Sequence, residues 1–590
     1  MEKQRKGAGG VGRVGAMLVL AGITTVLTAC GDGGGTSGGR MSAAESEFCG
    51  PVMARVDSFL AAASDRELSD QYGGTVVVGG IGELDGMNAL TSTGYQAAQH
   101  QEYMTLMTLA QYDENLRPVP YLAESWELSE DGTELTFRLR DEVRWHDGER
   151  TDAYDVEFTY LRATDPATGF PNASIFRYYE PGAAGVEVLD SLTVRFRMRP
   201  HVQPIAPWAR TGIMPEHLLG DVPSAELRQH PFGSRCPVGN GPFVFREHRQ
   251  NESWTFVANP WFPEGLGGRP YVDRYVYQAI PEQTTLLTDL LTGGVDVYIG
   301  VRPDQTARIE ETAGVGVVSF PSRQYTFAGW NARIPELSDP RVRRALTHGT
   351  NRQQIIDAIW RGYAEIANTS VPPFHWAYSS DFADALPYDP DRARELLEEA
   401  GWVDRDGDGV RENEDGIPLE ITLKYNQGNQ SRQDVAEIMQ AQLREVGVRI
   451  VPQVVEWTTL LSQLIDTENR PIEGVVLGWV VNFRLDDTDL FHSDAADAEY
   501  GFAGTQVPEI DQLLDTLPLI PDREEAQPLW NRYQELIVEH QPYTFLYFPD
   551  RINGVAGRVR GAEMDVRGDW VNVARWWIPA DERIYQGTSE

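Results

Sequence analysis

The chain has 590 residues, of which 41% are hydrophobic, and it carries a formal net charge of −37 at pH 7. So acidic a chain repels nucleic acid and anionic lipid surfaces, which argues against both as partners of the folded body. Because a single hydrophobic core rarely grows beyond roughly 300 residues, we expect more than one domain.

The first thirty residues have the organisation of an export signal. Four basic side chains (Lys3, Arg5, Lys6 and Arg13) precede an apolar run over residues 14–27 that is too short to remain as a spanning helix. The run ends at Leu27-Thr28-Ala29-Cys30, which resembles the bacterial lipobox, in which the cysteine thiol receives a diacylglycerol. We predict a lipoprotein signal peptide over residues 1–30 with lipidation at Cys30. An ordinary secretory peptide with a chance cysteine is the alternative.

A glycine-rich stretch over residues 31–39 follows the lipobox. As a flexible tether of about ten residues it has a root-mean-square reach of roughly 17 Å. We assign residues 31–71 to this tether and an N-terminal extension. The folded body is then expected outside the cytoplasm, in the periplasm or at the cell surface, held to a membrane through Cys30.

Two further cysteines remain, Cys49 and Cys236, and an exported protein folds in an oxidising compartment where they can pair. A disulfide between them would fasten the N-terminal extension to the domain that holds Cys236. Two unpaired buried thiols are the alternative.

Catalytic motifs are scarce. One G-x-S-x-G pattern, at residues 35–39, lies in the tether, without the strand and helix that a nucleophile elbow needs. We find no HExxH, P-loop or C-x-x-C motif. An enzyme is therefore disfavoured, and no cofactor is required.

The chain from residue 72 onward alternates strands and helices. Residues 125–140 read as a hairpin, because apolar side chains alternate on both sides of a Ser-Glu-Asp-Gly turn. In the second half, Asp339-Pro340 and Asp389-Pro390 begin helices. A strand, a helix and a strand between residues 419 and 455 predict a βαβ unit with a right-handed crossover.

Residues 474–480 form a continuously apolar run, as expected for a strand covered on both faces. In open α/β sheets, ligands collect beyond the carboxyl ends of strands. This run leads directly into polar side chains beside Trp479 and Phe483, which is typical of a small-molecule cleft. An ordinary surface loop with solvated acids is the alternative. The polar side chains are Asn482, Arg484, Asp486, Asp487 and Asp489.

Several motifs match one known family in order along residues 72–580. Leu122-Ala123-Glu124-Ser125-Trp126, continuing to Trp145-His146-Asp147-Gly148-Glu149, resembles the signature of the family 5 extracellular solute-binding proteins of ABC transporters. Pro237-Val238-Gly239-Asn240-Gly241-Pro242-Phe243 and Asn259-Pro260-Trp261-Phe262 are similar to further motifs of that family. The family comprises oligopeptide, dipeptide and nickel binders and their relatives.

The resemblance implies an α/β fold of the periplasmic-binding-protein type (type II, cluster C), with two large hinged lobes and an inserted extra domain. Solute would be enclosed between domains I and III, and closure would be a hinge motion that the transporter recognises. Domain I would comprise residues 72–105, 233–325 and 546–590, domain II residues 106–232, and domain III residues 326–545.

The resemblance also suggests ligand-binding residues. The backbone of Gly478, Trp479 and Val480 would pair with a peptide main chain, whatever its side chains. Asn482 occupies the position of an aspartate that holds the ligand's ammonium in oligopeptide binders, and a neutral amide cannot supply that charge-assisted bond. Asp486 or Asp487 would substitute, or the ligand lacks a free amine. The remaining candidates are Arg484, Trp330, Asn331 and Tyr95.

One acidic loop has the spacing of a calcium loop. Oxygen ligands would come from positions 1, 3, 5, 7, 9 and 12, with Gly409 at position 6. A strand and not a helix follows this loop, and position 12 is Asp in place of the usual Glu. A structural Ca²⁺ is one interpretation, and a plain hairpin turn is the other. The candidate ligands are Asp404, Asp406, Asp408, Val410, Glu412 and Asp415.

The sequence thus predicts a lipid-anchored, monomeric capture protein that delivers a peptide-like solute to the transmembrane subunits of an ABC permease. An oligosaccharide binder of the same family is the first alternative, because tryptophan and asparagine with flanking acids suit sugars. A secreted hydrolase or a surface adhesin on this fold is the second.

Overall fold

The computed structural model describes residues 41–63, 69–520 and 522–584. The predicted signal peptide, Cys30 and the tether up to residue 40 lie outside them. In the described part of the chain, no helix has both the length and the apolar character needed to cross a membrane.

The described residues alternate helices and strands. The strands are β1 Thr75–Gly80, β2 Ala110–Tyr112, β3 Pro118–Pro120, β4 Ala123–Leu128, β5 Glu134–Leu139, β6 Val186–Asp190, β7 Thr193–Arg197, β8 Phe243–Arg249, β9 Ser253–Ala258, β10 Arg274–Ala279, β11 Val297–Ile299, β12 Val315–Pro321, β13 Gln324–Trp330, β14 Ala364–Ile366, β15 Glu420–Asn426, β16 Arg449–Val455, β17 Gly474–Val480 and β18 Tyr543–Ala556. The α-helices are α1 Ala43–Ala61, α2 Tyr95–His100, α3 Ala153–Thr164, α4 Glu216–Leu219, α5 Gln283–Thr292, α6 Thr306–Glu310, α7 Pro335–Ser338, α8 Pro340–His348, α9 Arg352–Ile359, α10 Pro390–Glu399, α11 Gln430–Arg444, α12 Trp457–Ile465, α13 Thr488–Phe491, α14 Pro508–Thr516 and α15 Arg523–His540.

One long mixed sheet runs through the ranges predicted as domains I and III, in the order β16-β15-β17-β13-β18-β11-β1-β10-β9-β8. Domains I, II and III denote these predicted ranges throughout. Strand β18 joins the two halves, because residues 543–547 pair with β13 and residues 550–556 pair with β12. The predicted boundary after residue 545 therefore falls inside a continuous strand. The chain crosses a second time at Ser322 and Arg323, where the Ser322 amide donates to the Pro549 carbonyl (3.0 Å).

Domain II is built on a separate antiparallel sheet, ordered β4-β5-β7-β6. The predicted hairpin is its β4–β5 pair, with Trp126 opposite Phe137. Inward residues of β5 and β7 alternate with more open ones, so one face of this sheet meets the core. That core also receives Cys49, Val52 and Val56 from α1.

The predicted elements of domain III are confirmed. Asp339 caps α8 and Asp389 caps α10, each through its side chain with proline in the first turn. Strands β15 and β16 are parallel and joined by α11, as predicted for the βαβ unit. Strand β17 differs from the prediction, because only its first four residues are buried and Val480 is 56% exposed.

Candidate functional site

A cavity of about 220 Å³ is lined by residues from all three predicted domains, and we call it the central cavity. Domain I contributes the end of the segment that contains α2, and domain III contributes the residues that follow β17. The lining residues are Ala89, Ser92, Ala98, Gln101, Glu102, Tyr112, Phe170, Asn172, Ser174, Ile175, Arg177, Ala206, Pro207, Arg210, Thr211, Gly212, Asn482, Phe483, Arg484, Asp486 and Asp489.

A π-helical turn places the domain I side chains. Helix α2 continues directly into the π-helical residues Gln101–Thr105, which widen the last turn before the chain becomes extended at Leu106. Such turns occur frequently at functional sites. Here the turn brings Gln101 and Glu102 to the cavity wall.

The domain III wall is the segment that leaves β17. The Val481 amide donates to the Arg323 carbonyl (2.6 Å), which fixes the start of this segment against the crossing point between domains I and III. Leu485 has a φ of 37°, in the left-handed region that a leucine rarely adopts. Strain of this kind is concentrated at functional sites. The turn at Leu485 puts Arg484 and Asp486 on the cavity side.

Four charged side chains form a balanced network on one wall. The guanidinium of Arg484 contacts Asp486 (2.6 Å), and that of Arg177 contacts Asp489 (2.8 Å) and approaches Asp486 (4.0 Å). Burial alone would raise the pKa of Asp486, but Arg484 and Arg177 outweigh burial and hold that pKa below its ordinary value. Because Arg177 belongs to domain II, the network links domain II to domain III at this wall.

Glu102, Arg210 and Arg323 form a second charged group nearer domain I. Burial raises the pKa of Glu102, with Arg210 and Arg323 opposing that shift. Arg323 is 7% exposed and holds its guanidinium 4.9 Å from the ring centre of Phe483. Burial, followed by repulsion from Arg210, lowers the pKa of Arg323.

The structure brings part of the predicted site to the cavity. Asn482, Arg484 and Asp486 line it, and the Asn482 side chain is exposed. Gly478, Trp479 and Val480 lie just before this wall, where β17 pairs with β13 through Gln324, Tyr325 and Thr326. In the described chain, the pairing of β17 with β15 covers only Gly474 and Val475, so the backbone near Val480 has one edge without a strand.

The indole of Trp479 points into domain III and not into the cavity. It packs within 6.3 Å of Phe327 and Phe502, and its Nε1 donates to the Tyr543 hydroxyl (3.4 Å). Its aromatic surface is therefore used in the domain III core.

Asp487 also points away from the cavity. It is 6% exposed and accepts hydrogen bonds from the hydroxyls of Ser370 and Tyr533, the latter at 2.6 Å. Burial raises the pKa of Asp487, although these two hydroxyls oppose the shift. Of the two aspartates predicted as substitutes at the ammonium position, only Asp486 lines the cavity.

Trp330 and Asn331 lie in the interior of domain III. The indole of Trp330 is fully buried and donates to Thr544 Oγ1 (3.0 Å). The Asn331 amide donates to the Ile472 carbonyl (2.8 Å) and accepts from the Arg333 backbone (3.1 Å). Neither residue lines the central cavity, so we revise the expectation for both to roles in folding.

Tyr95 begins α2 close to the cavity but does not line it. The Arg551 guanidinium lies 4.5 Å from its ring centre and is paired with Asp569 (2.7 Å). Burial raises the pKa of Tyr95, with Arg551 opposing the shift.

The predicted disulfide and the predicted calcium loop can both be located in the structure. Cys49 and Cys236 form a disulfide with a Cα–Cα distance of 5.5 Å, which ties α1 to the chain 187 residues away. In the acidic loop, carboxylate oxygens of Asp404, Asp406, Asp408 and Glu412 lie within 4.8 Å of one another.

That spacing fits a small cation coordinated by oxygen. Asp415 does not join the group. Backbone amides already donate to all four of these carboxylates: Gly407 and Gly409 to Asp404, Asp408 to Asp406, Val410 to Asp408, and Arg405 to Glu412.

No prediction from the sequence covers Arg177, Arg210, Glu102 or Arg323. Each belongs to a different segment, and only the packing of three domains brings them together. Only Arg210 has a local feature that could have marked it as a site residue, because it is an isolated charge after the apolar turn Ala206–Ala209.

Comparison with known proteins supports one family. Residues 117–499 match the model described as bacterial extracellular solute-binding proteins, family 5 Middle. The chain is 31% identical over 511 residues to the oligopeptide-binding protein AppA of Bacillus subtilis (strain 168), covering 86% of this chain and 92% of that protein.

A second curated relative is the dipeptide-binding protein of Escherichia coli (strain K12), which is 25% identical over 475 residues and covers 76% and 84% of the two chains. Among solved structures, AppA from Bacillus subtilis in complex with a nonapeptide superposes with a TM-score of 0.71 at 30% identity. This match covers 86% of the present chain and 99% of that one.

Proposed function

Because the chain belongs to the bacterial extracellular solute-binding proteins of family 5, we propose that it captures a peptide between its domains and delivers it to an ABC permease. Membership also makes it a transport component and not an enzyme. The central cavity, enclosed by three domains and lined by both polar and apolar groups, is the observation that carries this proposal.

The peptide assignment has two supports. The relatives described above are named for oligopeptide and dipeptide binding, and one was solved with a nonapeptide. Within the described residues, Val480 pairs with β13 on one edge only, and its other backbone edge has no strand partner and lies directly before the cavity wall. An extended peptide adds to such an edge through main-chain hydrogen bonds, which are independent of its side chains.

The cell attachment is part of the same proposal. Its support is the sequence, where a basic segment, an apolar run and Leu27-Thr28-Ala29-Cys30 precede a glycine-rich tether. A protein held in this way stays beside the permease outside the cytoplasm. Intact mass spectrometry of membrane-extracted protein would show the added lipid, and a Cys30→Ser variant would be released from the membrane.

We further propose that residues 404–412 bind Ca²⁺ as a structural ion. The support is the convergence of four carboxylates within 4.8 Å, with the Val410 carbonyl as a further ligand expected from the spacing. The ion would brace a loop that does not line the central cavity, and it would take no part in cargo binding.

A thermal-shift panel tests the proposed cargo. Di- to hexapeptides at 100 times their dissociation constant would stabilise the protein by about 2.7 kcal/mol, whereas cello- and xylo-oligosaccharides would leave its melting temperature unchanged. Mass spectrometry after incubation should recover every peptide intact. Stabilisation by the sugars alone would transfer the assignment to the oligosaccharide alternative, and cleaved peptides would contradict a capture role.

A further inference from the structure

Part of the central cavity has an apolar lining. Domain II contributes Phe170, Ile175, Ala206 and Pro207 to it, and domain I contributes Ala89. We call these five residues the apolar wall. Phe170 is 7% exposed and belongs to the hydrophobic core that includes domain II, and Ile175 and Ala89 pack against that core while remaining partly open.

Two short turns carry most of the apolar wall. Ile175 lies on the turn Ala173–Phe176, and Ala206 and Pro207 lie on the turn Ala206–Ala209. Because the two turns pack against each other and all three residues line the cavity, their side chains form one surface.

Arg228 holds the domain I part of the apolar wall against the domain II part. Its guanidinium donates to the carbonyls of Thr91 (2.8 Å) and Gly169 (3.4 Å). Gly169 directly precedes Phe170, and Thr91 lies two residues after Ala89. The two ends of the apolar wall are therefore fixed close to each other by one side chain.

The charged groups that line the cavity cancel. Arg484 pairs with Asp486 and Arg177 pairs with Asp489, so these four charges are matched within the protein. A charged cargo side chain would therefore lose its hydration without meeting a net opposite charge, whereas an apolar side chain gains by leaving water. The charged lining residues are three arginines and three acids: Arg177, Arg210, Arg484, Glu102, Asp486 and Asp489.

We infer that the apolar wall receives an apolar side chain of the bound peptide and thereby selects the cargo. This inference rests on the proposed function and names the class of peptide that is captured. A peptide added to a strand edge gains affinity from its main chain and specificity from the pockets that its side chains enter. Each CH₂ group buried on the apolar wall should strengthen binding about fourfold.

Isothermal titration of the full-length protein with two sets of tetrapeptides tests the inference. Each peptide is tetra-alanine with one replacement, at each position in turn, by leucine in the first set and by asparagine in the second. The two side chains share one branched skeleton and differ mainly in polarity. At one position, the leucine peptide should bind about 10-fold more tightly than its asparagine counterpart, or better. Asparagine equal or superior to leucine at every position would overturn the inference.

Two variants separate selection by the apolar wall from a structural role. Ile175→Thr removes apolar surface from the wall, and Ala89→Leu fills space beside it. Each should lower the leucine-to-asparagine affinity ratio at the selected position about fivefold and leave the affinity for tetra-alanine within about twofold. Ile417→Thr, at an isoleucine that is 46% exposed and does not line the cavity, is the matched control and should change neither.

The outcomes distinguish the two levels of the argument. A leucine preference that persists unchanged in both wall variants would overturn the inference, whether or not their melting temperatures fall. Equal affinity for all peptides would overturn apolar selection and leave the capture of peptides intact. Failure of every peptide to bind would overturn the proposed function, and this inference with it.

Discussion

His146 shows how a single buried side chain is held in one protonation state. Its Nδ1 accepts from the Gly239 amide (3.2 Å), and its Nε2 faces the Gly241 carbonyl (2.9 Å). A neutral imidazole satisfies both contacts, whereas a second proton would set Nδ1–H against an amide donor. Burial accordingly lowers the pKa of His146 to about 4.

This geometry predicts acid sensitivity. The folded pKa lies below the ordinary value near 6.5, so the folded state binds fewer protons than the unfolded state between these values. The stability that comes from neutral His146 is complete above pH 6.5 and is lost as the pH falls toward 4. His146→Gln keeps an acceptor and a donor and should reduce the pH slope of unfolding by up to about 1.4 kcal/mol per pH unit. Denaturation curves between pH 4 and 7 measure that slope, and an unchanged slope would contradict the assignment.

At the scale of elements, the docking of helix α1 depends on the disulfide between Cys49 and Cys236. Cys49, Val52 and Val56 are its buried residues, and the disulfide closes a separation of 187 residues. The double variant Cys49→Ala/Cys236→Ala should lose about 2–5 kcal/mol of unfolding free energy, since the unfolded chain regains its freedom. Guanidinium denaturation with and without reductant provides the measurement. If reduction does not shift the wild-type midpoint, α1 is held by packing alone.

The acidic loop gives a second prediction for an element. Millimolar Ca²⁺ should raise the melting temperature of the wild-type protein, and Asp406→Asn should abolish the increase by removing one of the converging carboxylates. Asp415→Asn removes the same charge outside the cluster and should retain the full response. Equal responses of the two variants would count against a specific site and favour a plain turn.

Elements were more predictable than the site. Hydrophobic period and capping residues identified β5, α8, α10 and the βαβ unit, because these signals are local. Continuous apolarity suggested that all of residues 474–480 were covered, yet Val480 is 56% exposed, two residues before Asn482 at the cavity wall. The roles of Trp330 and Asn331 were not readable from the sequence, since a buried core position and a cleft wall both favour such residues. Arg177 and Asp489 are 312 residues apart in sequence and pair only in the folded chain, so no local pattern could reveal their contact.

At the scale of the whole molecule, direct contacts hold domain II against domain III. Besides the Arg177–Asp489 pair, the Val202 amide donates to the Pro518 carbonyl (2.7 Å), and Arg523 donates to the Leu116 carbonyl (2.9 Å). These bonds belong to the arrangement that encloses the cavity. Opening at the crossings near Arg323 and Pro549 would break them.

Reversing one charge should therefore oppose closure. Asp489→Arg replaces the partly exposed ion pair between Asp489 and Arg177 with repulsion between two arginines. This change should weaken peptide binding about fivefold, in line with about 1 kcal/mol for such a pair. The exchanged pair Arg177→Asp/Asp489→Arg should recover most of the loss. Titration calorimetry gives the affinities, and scattering from ligand-saturated protein reports compaction. If the exchanged pair does not recover the affinity, Asp489 affects binding by contacting the peptide and not by stabilising the closed arrangement.

The most direct test of the account is a crystal structure of the protein with the tightest peptide of the panel. We predict peptide density inside the central cavity, touching Asn482 on one wall and Arg210 on the other, with the domains closed around it. Peptide bound elsewhere on the surface, with the cavity filled by the protein's own side chains, would contradict the account.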